Sequence, residues 1–73
     1  MTNQLEVTDV VYDGSFFEAS SSEGKLTGNG AFTQNEAATG GTIHGTLREG
    51  PEERLWAAVT IEFSGGSGTC TFD

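Results

Sequence analysis

The sequence predicts an all-β fold, a small antiparallel meander of about six strands curled into a barrel or a two-layer sandwich. Two observations carry this expectation. No segment places apolar residues at i, i+3, i+4 and i+7, whereas several alternate apolar and polar residues with period two. Gly-rich or charged turns separate those segments. The chain has 73 residues, which leaves room for one thin core, because a chain this short buries only about 60% of the surface its unfolded form exposes. A single domain over residues 1–73 is therefore expected. Five Phe, one Tyr and one Trp supply much of the area it can bury.

The first strand is expected over residues 4–12. Leu5 and Val7 fall out of phase with Val10 and Tyr12, and a bulge near Thr8 and Asp9 reconciles them. A second strand over 15–22 turns at Glu23-Gly24 and points Phe17 inward, opposite Gly30. The third, over 26–33, keeps Leu26, Gly28, Gly30 and Phe32 in phase. Pairing Phe32 with Ile43 sets Gly30 opposite Gly45, and two facing glycines need a covering side chain or a sharp bend. A rival reading makes Asn29-Gly30 a type I′ turn, at the expense of very short flanking strands.

Residues 34–41 then form a loop and 42–48 a fourth strand with Ile43, Gly45 and Leu47 on one face. Residues 49–53 have the composition of a hairpin loop. The fifth strand, over 54–63, is the clearest alternation in the chain. Leu55, Ala57, Val59, Ile61 and Phe63 share one face, and Arg54, Trp56, Ala58, Thr60 and Glu62 the other. Leu47 opposite Leu55 sets Ile43 opposite Val59. A glycine-rich turn over 64–68 leads to a short sixth strand, 69–72, with Cys70 and Phe72 on one face. Such a meander must close, or pair its edges in a homo-oligomer, and its in-strand glycines favour the curled forms.

Eleven carboxylates against three basic residues give a formal charge of -8. That charge repels phosphates and anionic membrane surfaces, so neither direct nucleic-acid binding nor membrane association is expected. It suits a partner protein with a basic surface, and equally plain solubility or a high-salt cytoplasm. The first ten residues carry no basic flank and no long apolar run, and no later stretch is long and apolar enough to span a bilayer. A soluble cytoplasmic protein is the expectation. Cys70 is the only cysteine, which excludes an internal disulfide and a multi-cysteine zinc site and makes it a small core residue.

The chemistry of catalysis finds little to use. His44 is the only imidazole; it is expected on the polar face beside Thr42 and Thr46 with Trp56 diagonal to it, and an exposed strand histidine accounts for it. Asp9 and Asp13 do not fit a calcium loop, and Glu49, Glu52 and Glu53, flanked by Arg48 and Arg54, read as turn charges. No metal, no cofactor and no enzyme activity are expected. The glycine runs lack the helix and the Lys or Ser/Thr of a phosphate loop. Phe16, Phe17, Phe32 and Trp56 lack the basic neighbours of a base-stacking platform.

Binding is the remaining class. Trp56 lies opposite Leu55, Ala57 and Val59, where either a second layer covers it or it stands exposed as an interface anchor. Phe16, next to the inward Phe17, poses the same question, and His44 shares the polar face. Glu6, Asp9, Asp13, Glu18 and Glu23 give the N-terminal third a negative surface with no basic residue, and the first four of them join Trp56, Phe16 and His44 in the candidate interface. The expected function is a small acidic non-catalytic interaction protein that binds a basic protein surface, including an inhibitor that competes with nucleic acid. Alternatives are a barrel or oligomer holding a small ligand, and a structural or assembly module joined through edge strands. In general character, through size, acidity and cysteine poverty alone, the chain resembles small phage-encoded inhibitors of host defence; the resemblance covers no motif and transfers no residue.

Overall fold

A computed structural model describes residues 3–73; Met1 and Thr2, part of the expected domain, lie outside the described residues. Strands β1 (Gln4–Asp13), β2 (Phe16–Ser21), β3 (Gly24–Gln34), β4 (Gly40–Glu49), β5 (Ala58–Ser64) and β6 (Ser67–Phe72) follow in chain order. Each pairs antiparallel with the next, and β1 pairs back onto β6 through Gln4↔Thr71, Leu5↔Cys70, Glu6↔Thr69 and Val7↔Gly68. The meander therefore closes into a barrel and not a sandwich.

Parity along each strand decides what faces in. In β1 the pairing steps from Thr8↔Ser20 to Val11↔Glu18, so Asp9 and Val10 together oppose Ala19. Asp9 takes a left-handed φ of 52°, a conformation Asp tolerates better than most residues. This is the bulge the out-of-phase apolar residues called for. It keeps Val7 buried and packs Val10 and Tyr12 against the core while turning Val11 outward.

β3 runs unbroken through Asn29-Gly30, which pair with Phe16 on one side and with Thr46 and Gly45 on the other. The type I′ turn is thereby excluded. Phe32↔Ile43 and Gly30↔Gly45 stand as the sequence predicts. Phe17 faces Gly28 and not Gly30. A slip of two residues conserves the face, so the cover arrives one inward position early. A Cβ on Gly28 would meet Thr46 O and sit 2.6 Å from Phe17 Cζ, so this glycine makes room for the phenyl ring. The Tyr12 hydroxyl donates to Gly30 O at 3.0 Å and holds the next inward position.

The fifth strand starts later than its alternation suggests. Pro51 opens a single 3-10 turn, Glu52–Arg54, closed by the Arg54 amide donating to Pro51 O at 2.8 Å. Leu55 and Trp56 thus lie in the connection, and β5 begins at Ala58. Ile43 pairs with Ile61 rather than Val59, again a two-residue slip that leaves Ile43, Val59 and Ile61 all inside. At the other end Gly65 and Gly66, with φ of 63° and 85°, make the two-residue turn between Ser64 and Ser67.

The interior is filled by side chains, with Phe17, Leu26, Ile43, Leu47 and Ile61 fully buried. Tyr12, Phe32 and Phe63 continue it towards one mouth, their rings 5.3 and 5.7 Å apart. Phe63 has Gly41 and Gly68 as its register partners on either side. Cys70 is a core residue as expected, and burial pushes its thiol up to about 11 from the usual 9.0.

Two outcomes follow from this packing. Gly28→Ala forces the β3–β4 backbone apart and is expected to cost about 3 kcal/mol in denaturant unfolding, whereas Gly14→Ala, at a φ of 68° with open space around it, should cost only about 1 kcal/mol. The native Cys70 thiol keeps its proton to about pH 11 while the unfolded chain releases it near 9.0. Unfolding therefore releases a proton in that window, and stability, complete below pH 9, falls there by about 1.4 kcal/mol per pH unit. Subtracting the unfolding curve of Cys70→Ala from that of the wild type isolates this slope.

Candidate functional site

A closed single-sheet barrel has no second layer, so every outward side chain meets solvent or its lateral neighbours. Among the described residues three large hydrophobics are exposed: Val11 at 56%, Phe16 at 46% and Trp56 at 65%. Val11 lies on β1, Phe16 on β2 and Trp56 in the β4–β5 connection, along a register row that runs round the outside of the barrel. Across the strands run Asp13↔Phe16, Phe16↔Asn29, Asn29↔Thr46 and Thr46↔Ala58, all exposed. Val11↔Glu18 lies alongside, with Glu18 two residues beyond Phe16 on the same face.

Trp56 joins this row through Arg48. The Arg48 Nη1 donates to Asn29 Oδ1 at 3.1 Å, and its guanidinium carbon lies 4.8 Å from the centroid of the indole. Arg48 therefore bridges Trp56 to Asn29, whose register partner on β2 is Phe16.

The backbone at Trp56 is unusual for so large a residue. Its φ is 68°, the left-handed region where an L side chain costs about 1–2 kcal/mol. Trp56 N donates to Leu47 O at 2.8 Å and Leu47 N donates to Ala57 O at 3.0 Å. Trp56 and Ala57 together oppose Leu47, in the hydrogen-bond pattern of a bulge whose first residue is normally glycine. A tryptophan fills the glycine slot and gains little burial there.

The other candidate residues divide. Asp13 and Glu18 flank Phe16, and Glu18 also pairs with Lys25 at 3.5 Å. His44 shares the outer face two residues from Thr46, with Nδ1 3.3 Å from Thr60 Oγ1; the shifted β4–β5 register puts Trp56 beside Leu47 and Arg48 and not diagonal to His44. Glu6 belongs to another flank, where it and Glu62 sit on either side of Thr69. Asp9 occupies the β1 bulge, exposed. Val11, Asn29 and Arg48 were not among the residues the sequence singled out. The bulge implies Val11 outside, and Phe32↔Ile43 implies Asn29 opposite Thr46; the contacts of Arg48 had no signal.

Surface depressions such as the one lined by Asn35, Thr42, Glu62 and Phe63 are open to solvent. No group of three or more His, Cys, Asp or Glu among the described residues is arranged to hold a metal ion. No helix among them is long and apolar enough to cross a membrane. Compared with protein-family models, curated proteins and solved structures, the chain matches none.

The Trp56 slot makes a sharp expectation. Trp56→Gly relieves the left-handed strain while losing the Arg48 contact, so it should unfold within about 1 kcal/mol of the wild type. Trp56→Ala keeps the strain and loses the same contact, and should be about 1 kcal/mol less stable than Trp56→Gly by calorimetry or circular dichroism.

Proposed function

We propose that this domain is a non-catalytic interaction protein that binds a basic protein surface through the outer face that carries Phe16, Arg48 and Trp56. The observation that carries the reading is Trp56, 65% exposed and held at a φ of 68°, where neither burial nor backbone preference favours a tryptophan. Strain that the fold does not need is a mark of function. An exposed Trp next to an Arg and within a row that ends on a Phe has the composition of a binding hot spot.

Charge supports the same reading. The three cations are engaged within the domain: Lys25 with Glu18, Arg48 with Asn29 and Trp56, and Arg54 over the Phe72 ring at 4.8 Å. The acidic excess faces outward and draws a basic partner over a distance of about a Debye length. Where the partner's basic groove also holds nucleic acid, the domain competes for it.

The interior filled by Phe17, Leu26, Ile43, Leu47 and Ile61 weighs against a ligand held inside one barrel. The β1–β6 seam pairs the two strands through which an open meander would assemble.

The test is affinity capture with immobilised wild type, Trp56→Gly and Phe16→Ser at low and high salt. A basic protein retained by the wild type, and lost on raising salt and in both variants, is the expected result. Retention that Trp56→Gly leaves unchanged, or no retained protein at all, overturns the reading.

A further inference from the structure

We infer that Phe16 is the seat for an arginine side chain of the partner, with Asp13 and Glu18 accepting from its guanidinium; the inference rests on the interaction reading above. Phe16 stands half exposed on β2, at 46%. Asp13 is its register partner on β1, Glu18 follows on the same face of β2, and Asn29 closes the β3 side. An exposed aromatic ring with carboxylate residues at its cross-strand and i+2 positions offers the two things a guanidinium takes together: a ring to stack on and carboxylate acceptors for its fork of N–H donors.

The surroundings select the occupant. Arg rather than Lys fits, because a guanidinium is planar and weakly hydrated and stacks without losing its in-plane hydrogen bonds, whereas an ammonium is a compact, strongly hydrated point charge. Glu18 is already in contact with a cation, Lys25 at 3.5 Å. That pair lies at the surface, where such bridges contribute little and exchange readily, so Glu18 can turn to an incoming guanidinium. Val11, the register partner of Glu18 and exposed at 56%, extends an apolar floor for the methylene stem of the arginine.

Arg48 sets the polarity of the row. It lies beyond Asn29, over Trp56, so the Trp56 end repels a second cation while the Phe16 end attracts one. The partner is thereby oriented, with its arginine over Phe16 and an apolar or acidic group over Trp56. A second copy of this chain is a poor occupant, because its eleven carboxylates against three basic residues face the same carboxylates here.

The experiment titrates oligo-arginine and oligo-lysine peptides of equal length into isotope-labelled wild type and follows the amide resonances. Tighter binding of the arginine peptide by about three-fold or more, with shifts centred on Asp13, Phe16, Glu18 and Asn29, is expected. Phe16→Leu should bring the two peptides to equal affinity, and Asp13→Asn and Glu18→Gln should each weaken the arginine peptide. Phe16→Leu keeps an apolar side chain on the barrel's outer face, so it tests the ring and not the fold. Equal affinities in the wild type, or shifts spread as strongly over Glu6 and Glu62, overturn the arginine seat. So does a wild-type dimer in sedimentation that Phe16→Leu dissolves, which assigns the face to a second copy. Failure here with Trp56-dependent capture intact rejects the seat alone; loss of that capture rejects the interaction reading itself.

Discussion

The pairing of Gln4, Leu5, Glu6 and Val7 with Thr71, Cys70, Thr69 and Gly68 is the contact on which the rest of the molecule depends. Without it the chain is a six-stranded open meander with two free edges and a sheet face to cover. With it, the sheet covers its own inner face and has no outer layer. The burial of Val7 and Cys70 and the solvent exposure of Trp56 are two results of the same closure. It also explains why a chain with so few apolar residues folds: one narrow interior is all that needs filling.

A narrow barrel demands strong curvature, and the glycines supply it where large rings need space. Phe17 lies against Gly28, and Phe32 against Gly41. In each case an aromatic ring covers backbone that has no side chain of its own, so large and small residues alternate across the strands and not only along them. Removing the side chain at Gly28 lets β3 and β4 approach closely enough that a methyl group would meet Thr46 O. The composition that looks weak for a sheet, many glycines beside a few aromatics, is what a small radius requires.

Much of this was legible in the sequence because parity survives errors of register. Phe17 opposite Gly30 and Ile43 opposite Val59 are both wrong by two residues, yet the side-chain period is two, so the inside and outside sets are unchanged. The β1 bulge was visible because Leu5 and Val7 fall out of phase with Val10 and Tyr12. The break before β5 was hidden for the converse reason. Residues 54–57 continue the alternation of 58–63, and nothing in the pattern signals that Trp56 takes a left-handed φ that glycine usually fills. Half of the candidate site was also legible. Asp13 and Glu18 lie next to Phe16, and the Arg48 bridge brings Trp56 towards Asn29, while Glu6 lies at the other end of β1 opposite Thr69, because the charge of a segment says nothing about which neighbouring strand its outward residues face.

On the interaction reading proposed above, two tasks that binding usually combines fall to different features. Long-range attraction would come from net charge, which needs no particular geometry and is supplied by eleven carboxylates against three basic residues. Short-range contact needs rigid groups that lose little freedom on binding. Phe16 is fixed by the hydrogen-bonded registers of β2 on both sides, and Trp56 by a bulge whose two hydrogen bonds tie it to Leu47 and by the Arg48 guanidinium on its ring. A tryptophan at that position in an ordinary extended conformation would follow the strand's alternation; the left-handed backbone sets its direction independently of the sheet. The energetic cost of that conformation is met by a barrel that closes without using Trp56, and this leaves the residue that fits the fold least well available for the outside contact proposed above.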